Sequence, residues 1–163
     1  TNWLPYGDVL KLKAVESMVE VYYNSGQFWH TLEYLVPFEK DAFTFYEKLG
    51  SFYEKKGYSE ISHSRMRRYE ILLEYLQEET DVPTEVAAQK MLYDLYLREK
   101  LKKRPVFAPD QKQHETAVWN YRKNNQVSKT AHIEVFENGT VILFDYEKRD
   151  PLSNNAYTEV VQL

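Results

Sequence analysis

Apolar residues along the first two-thirds of the chain recur at helical spacing. Over 8–24, Leu12, Val15, Val19 and Tyr22 follow one another at steps of three and four, with Glu16 and Glu20 turned away. Asp8 is the expected N-cap, and Asn24-Ser25-Gly26 is the expected stop. A short helix over 28–36 should end at Pro37. Asp41 should cap a third helix striped by Ala42, Phe45, Leu49, Phe52 and Tyr53, with Gly57 closing it. Gly50 lies inside that stripe at a cost near ~1 kcal/mol relative to Ala, so close contact with a neighbouring helix is expected there. A fourth helix follows Ser62 or Ser64 and repeats at Tyr69, Leu72, Leu73 and Leu76. The fifth, capped by Thr84, runs from 85 to about 103 and carries Ala87, Ala88, Met91, Leu92, Leu95, Tyr96 and Leu101 on a wide apolar stripe.

Pro105 and Pro109 bound a non-helical connector, since each Pro disfavours helix in the residue before it. A helix over 110–124 follows, and then the period changes from 3.6 to 2. Ala131, Ile133 and Val135 alternate with His132, Glu134 and Phe136. Asn138-Gly139 is a hairpin signal of the mirror-image type, with positive φ expected at both residues. A two-residue loop pairs Phe136 with Val141, Val135 with Ile142, Ile133 with Phe144 and His132 with Asp145. It gathers Ala131, Ile133, Val135, Ile142, Phe144 and Tyr146 on one core face. Tyr157–Val161 adds a third antiparallel strand. The expected fold is α+β, mostly α-helical with a small C-terminal antiparallel β-hairpin or three-stranded sheet. Residues 1–163 read as a single domain with a helical part (1–104), the connector (105–109) and a helix-plus-hairpin lobe (110–163).

The 163 residues contain no Cys. A nucleophilic Cys, a CxxC pair, a Cys-ligated cluster and a Cys-type zinc site are therefore excluded. The composition suits a cytoplasmic setting, and no apolar run reaches the roughly 18 residues that span a bilayer. The chain begins with Thr rather than Met, so a piece of something longer is expected. The net charge is −4 and no region is strongly basic, which argues against a dedicated nucleic-acid binder. Tyr is abundant at 14 residues; it serves half-buried helix interfaces and binding surfaces equally.

Candidate chemistry is sparse. There is no glycine-rich phosphate cradle, and none of His30, His63, His114 and His132 has a second His three or four residues on. His132 opposite Asp145 resembles two-thirds of a hydrolytic triad, but no Ser in a sharp turn accompanies it. On the fourth helix, Arg65, Tyr69 and Leu72 share a face, while Arg67 can pair with Glu70 and Glu74. The 98–104 stretch is the densest in cations, which suits a helix C-terminus, and Asp94 with Arg98 forms an i, i+4 pair. His63, Arg65, Arg68 and Tyr69, with Tyr93, Asp94 and Arg98, mix aromatic faces with Arg and a carboxylate. They are the candidate binding or interdomain surface, and no catalytic, cofactor or metal residue is assigned.

The string Leu4–Phe28 (LPYGDVLKLKAVESMVEVYYNSGQF) resembles the stretch that follows the barrel in cobalamin-binding radical SAM proteins. His63-Ser64-Arg65, Arg68-Tyr69-Glu70, Tyr93–Glu99, Pro105–Pro109 and Leu143–Leu152 resemble the uncharacterised C-terminal domain of one bacterial branch of that family. The resemblance implies a parent of the Fe–S oxidoreductase, methyltransferase or Mg-protoporphyrin ester cyclase type. That parent would carry a cobalamin domain and a barrel whose CxxxCxxC holds a [4Fe–4S] cluster and SAM. None of those ligands falls on a residue here. The implied role is a non-catalytic accessory domain that shapes, covers or recruits substrate beside the upstream barrel and cobalamin domains. The alternatives are a helical module binding protein or RNA through 98–104, and more distantly a small hydrolase.

Overall fold

Asp41 accepts a 2.7 Å hydrogen bond from the Thr44 amide, and Ser64 accepts one of 3.1 Å from the Arg67 amide. These two side chains satisfy amides that the first turn of a helix leaves free, and so they set where two helices begin. In the computed structural model, which describes residues 5–163, the helices are α1 (Tyr6–Met18), α2 (Trp29–Leu35), α3 (Ala42–Lys56), α4 (Arg65–Glu79), α5 (Thr84–Arg98) and α6 (Glu115–Asn124). A π-helical stretch (Val19–Asn24) continues α1, and a 3-10 turn (Val36–Phe38) continues α2 and holds Pro37. Helix α1 starts at Tyr6 with Pro5 at its cap, so Asp8 lies in the first turn rather than ahead of it. Thr84 is likewise the first residue of α5, not its cap. The chain is α+β, predominantly helical, with a three-stranded antiparallel sheet near the C-terminus.

The chain divides into two compact units, one ending at Met91 and the other covering Leu92–Leu163. The connector 105–109 falls within the second.

In the first unit the close approach expected at Gly50 occurs against α1. A Cβ on Gly50 would stand 3.2 Å from the Ala14 Cβ and 3.3 Å from its carbonyl oxygen. Helix α3 ends in a Gly-closed turn: Gly57 takes φ +73°, and the Tyr58 amide reaches back to the Tyr53 carbonyl. Many of the tyrosines are core residues here. Tyr22 meets Phe28 edge-on, Phe28 stacks on Tyr69, and Tyr75 meets both Phe45 and Phe52. Tyr22, Tyr69 and Tyr75 are all essentially buried. Each ring contributes apolar area, and two of the hydroxyls find carbonyls: Tyr22 donates to Arg68 and Tyr69 to Gln27.

The second unit is a sheet of order β1 (His132–Val135), β2 (Val141–Arg149), β3 (Ala156–Val161). The hairpin register differs by one residue from the two-residue-loop expectation. Val135 pairs with Val141, Glu134 with Ile142, Ile133 with Leu143 and His132 with Phe144. The loop is longer: the Gly139 amide bonds the Phe136 carbonyl, and the Phe136 amide bonds the Thr140 carbonyl. Only Gly139 takes positive φ (+86°), so the loop is a three-residue turn closed by a left-handed Gly. Asn138 accepts from the Thr140 amide through its side chain instead of adopting the left-handed backbone itself.

A one-residue slip reverses which side chains share a face. Phe136, Ile142 and Phe144 pack with Leu92 and Tyr96, while Ala131, Ile133, Val135, Val141 and Leu143 form the other face, against Val118 and Tyr121 of α6. Both faces are therefore covered. Helix α5 stops at Arg98, five residues short of expectation. Its Arg98 carbonyl accepts from Arg149, Leu101 joins the first face, and the chain beyond has stronger partners than a continued helix would supply. Helix α6 starts at Glu115 rather than 110. Asp110 bonds the Lys112 amide in a local turn, and the Gln111 side-chain amide pairs with both backbone groups of Val135. Gln111 thereby occupies part of the open edge of β1.

Candidate functional site

Four of the seven candidate residues, His63, Arg65, Arg68 and Tyr69, belong to the first unit, and Tyr93, Asp94 and Arg98 belong to the second. Tyr69 is core: it is fully buried and holds the 27–28 segment through ring stacking and its hydroxyl. The Arg65 guanidinium lies 5.7 Å over the Tyr69 ring. Arg67, read as structural, pairs with Glu70 and Glu74 and also donates to the Tyr58 hydroxyl.

His63 and Arg68 converge on one cleft of about 400 Å³. Its wall on one side is α1, through Lys13, Ala14 and Ser17; on the other it is α3, through Gly50, Tyr53 and Glu54. The loop between α3 and α4 closes it with Tyr58, Ser59, Ser62 and His63. Local sequence explains the shape. The Gly50–Ala14 approach brings α1 down onto α3, and Gly57 turns the chain sharply so that the loop folds back beside the crossing.

Tyr53 and Arg68, which both line the cleft, are joined through Tyr22 by a hydrogen-bonded chain. Tyr22 gives its single hydroxyl proton to the Arg68 carbonyl at 3.0 Å, so the 2.5 Å contact between the two phenols has Tyr53 donating to Tyr22. Burial drives the Tyr22 hydroxyl well above its ordinary pKa and raises that of Tyr53, so both stay protonated. The His63 Nε2–H donates to the Tyr58 carbonyl at 2.8 Å, and its ring stands edge-on to Tyr53 and Tyr58. Among the described residues no carboxylate pairs with Arg68 or with Lys13.

On the far side of α1 the first unit carries an apolar groove of about 600 Å³, lined by Val15, Val19, Tyr23, Trp29, Phe43 and Tyr46. Trp29 is 60% exposed and Tyr23 55%. The π-helical stretch supplies Val19, Tyr22 and Tyr23 to this wall.

In the second unit Tyr93 rests on Phe136 and Phe144, Asp94 is buried, and the Arg98 guanidinium reaches the Ser153 carbonyl. That contact joins residues 55 apart in sequence. Lys100, Lys102 and Lys103 of the basic stretch are exposed, and Lys100 donates to the Lys129 carbonyl. His132 is opposite Phe144 of β2 rather than Asp145. It stacks on Tyr96 at 3.7 Å and donates Nε2–H to Glu134 at 2.9 Å.

Sequence reasoning missed the centre of that cluster. Glu134 has no solvent exposure and is clasped by Arg104 through both nitrogens, at 2.6 and 3.0 Å. Arg104 also reaches the Tyr96 hydroxyl and the Pro109 carbonyl. Burial would raise the Glu134 carboxyl, but the hydrogen bonds from His132 and Arg104, with the Arg104 charge, hold it below its usual range. Burial lowers His132, against the pull of Glu134, so the ring is neutral. The available signal was an acidic residue alternating in phase with Phe136 in a strand. No fully buried side-chain nitrogen or oxygen of this cluster lacks a hydrogen-bond partner, which marks it as structural.

Among the described residues no group of three His, Asp or Glu side chains stands as metal ligands would, and no helix is long and apolar enough to cross a membrane. A [4Fe–4S] cluster needs thiolates, which this chain does not contain. No curated protein and no solved structure matches the chain. A family model described as "Protein of unknown function (DUF4080)" matches residues 1–150, and the chain therefore belongs to that family.

Proposed function

We propose that this chain is a non-catalytic accessory domain of a cobalamin-binding radical SAM enzyme, one that recruits or covers substrate beside the barrel. The observation that carries this reading is the position of the polar cleft. One of its walls is α1, and α1 lies within the Leu4–Phe28 string that resembles the segment leaving such a barrel; Leu4 itself lies outside the described residues. A substrate-facing cleft on that segment would sit at the junction with the catalytic domain. The apolar groove on the other side of α1 supports the same reading, because exposed aromatic surface of this kind marks an interaction face. The parent supplies SAM, [4Fe–4S] and cobalamin chemistry; the residues here would position substrate in a cytoplasmic, membrane-free setting.

The complete reading frame encoding this chain tests the reading. A CxxxCxxC upstream of residue 1 is expected, and its absence overturns the proposal. With the frame in hand, the full-length enzyme lacking this domain should keep its cluster absorbance and its slow uncoupled cleavage of SAM. Loss of the cluster on deletion would make the domain a structural part of the barrel instead.

A further inference from the structure

Arg68 differs from the arginines beside it. Arg67 has two carboxylates and a phenol, and Arg65 has an aromatic face; Arg68 is partly buried and lines the cleft, with no carboxylate paired to it among the described residues. Removing part of a guanidinium's hydration is costly unless an acceptor replaces it. Glu54 is the one carboxylate among the residues lining the cleft, and among the described residues no ion pair joins it to Arg68. Lys13 lies on the opposite wall, also without a carboxylate, and the hydroxyls of Ser17, Ser59 and Ser62 line the space between. Two cations, hydroxyl donors and a concave volume of about 400 Å³ together describe a receptor for an oxyanion.

We infer that this cleft binds the oxyanion of a small ligand, a carboxylate or a phosphate, with Arg68 as its fork-shaped partner. Lys13 adds a point charge, and the serine hydroxyls complete the ring of donors. Glu54 stands exposed on the α3 wall. Its charge disfavours a polyanion and selects a ligand with one oxyanion head. Tyr58, Ile61 and Met18 leave apolar surface for the body of the molecule. The inference deepens the accessory-domain reading by naming the chemistry of what the cleft takes, and rests on it only for the claim that this ligand is the parent's substrate.

The test is a titration of the 163-residue chain with inorganic phosphate and, separately, with acetate, followed by backbone amide NMR. Saturable shifts confined to residues 13–18, 50–54, 58–63 and 68 are expected with at least one of the two probes, and the tighter one names the head group. Arg68→Gln should weaken binding about tenfold or more, the size of a lost charge-assisted pair. Arg68→Lys should fall between, keeping the charge but losing the fork. Lys13→Glu, at an exposed position, should abolish saturation while leaving the melting temperature unchanged. Lys102→Gln with Lys103→Gln should bind as the parent chain does. No saturation with either probe, or unchanged affinity in both Arg68→Gln and Lys13→Glu, overturns the inference. That failure leaves the upstream CxxxCxxC test untouched, so the two proposals fall separately.

Discussion

The Arg104 guanidinium and the Glu134 carboxylate meet through two hydrogen bonds, at 2.6 and 3.0 Å, across 30 residues of sequence. Glu134 is wholly buried, while Arg104 keeps about a third of its side chain in solvent. The pair joins the loop that follows α5 to the middle of β1. It accounts for where the helix stops, because a helix continued through 103 would carry Arg104 away from the sheet. His132, Tyr96 and Pro109 complete the arrangement, so that the one fully buried carboxylate of this cluster has a donor on each oxygen.

Removing Arg104 leaves a buried carboxylate without its counter-charge. Arg104→Ala should cost about 3 kcal/mol by chemical denaturation. In a Glu134→Leu background the same change should cost less than about 1 kcal/mol, since the penalty resides in the orphaned charge. Equal costs in the two backgrounds would show that the pair is energetically independent of its geometry.

Acid should destabilise the fold in two stages. Burial depresses His132 below its ordinary 6.5, so the unfolded chain takes up that proton more readily than the folded one, and stability falls as pH drops below about 6.5. Glu134 is held below its ordinary 4.5, so its contribution is present above that value and is lost as pH falls through the folded pKa. The thermal midpoint should therefore decline between pH 7 and 5 and more steeply below 4.5. His132→Phe keeps an aromatic ring on Tyr96 and should flatten the upper part of the slope; an unchanged slope would contradict the assignment.

The hairpin loop has one position with φ +86°, at Gly139. Gly139→Val should destabilise the chain by more than about 1 kcal/mol, because a β-branched residue is strained there. Gly139→Asn should cost clearly less, since Asn visits the left-handed region. Equal melting temperatures for the two variants would mean that the loop rearranges.

At Gly50 the obstacle is backbone as well as side chain, with the Ala14 oxygen 3.3 Å from where a Cβ would stand. Gly50→Val should cost about 1–3 kcal/mol through overpacking, despite removing a helix-weakening Gly. Gly50→Ala needs only a few tenths of an ångström of adjustment and should cost less. A stabilised Gly50→Val variant would show that α1 and α3 separate freely.

Much of the helical architecture was legible in the chain because its determinants are local. Asp41 and Ser64 begin their helices, Gly57 ends one, and the apolar steps of three and four choose the buried faces. Gly50 announced a helix contact, although only the fold names Ala14 as the neighbour. Arg67 could be assigned to Glu70 and Glu74 for the same reason, since helix geometry places residues three and seven positions on along one face. The strands were also legible as strands, from their alternation and from Asn138-Gly139. Their register was not. Two- and three-residue loops are both compatible with that dipeptide, the apolar pattern is satisfied on either face when both faces are covered, and the choice rests on Phe136, Ile142 and Phe144 packing with Leu92 and Tyr96. Long-range polar partners were equally out of reach. Arg104 and Glu134 look like surface charges in sequence, because nothing local distinguishes a solvated guanidinium from one that meets a carboxylate 30 residues later. The cleft follows the same logic. His63 and Arg68 were visible as candidates, but Lys13 and Ser17 join them only because two helices cross at Gly50, and a concave space between helices is a property of tertiary packing alone.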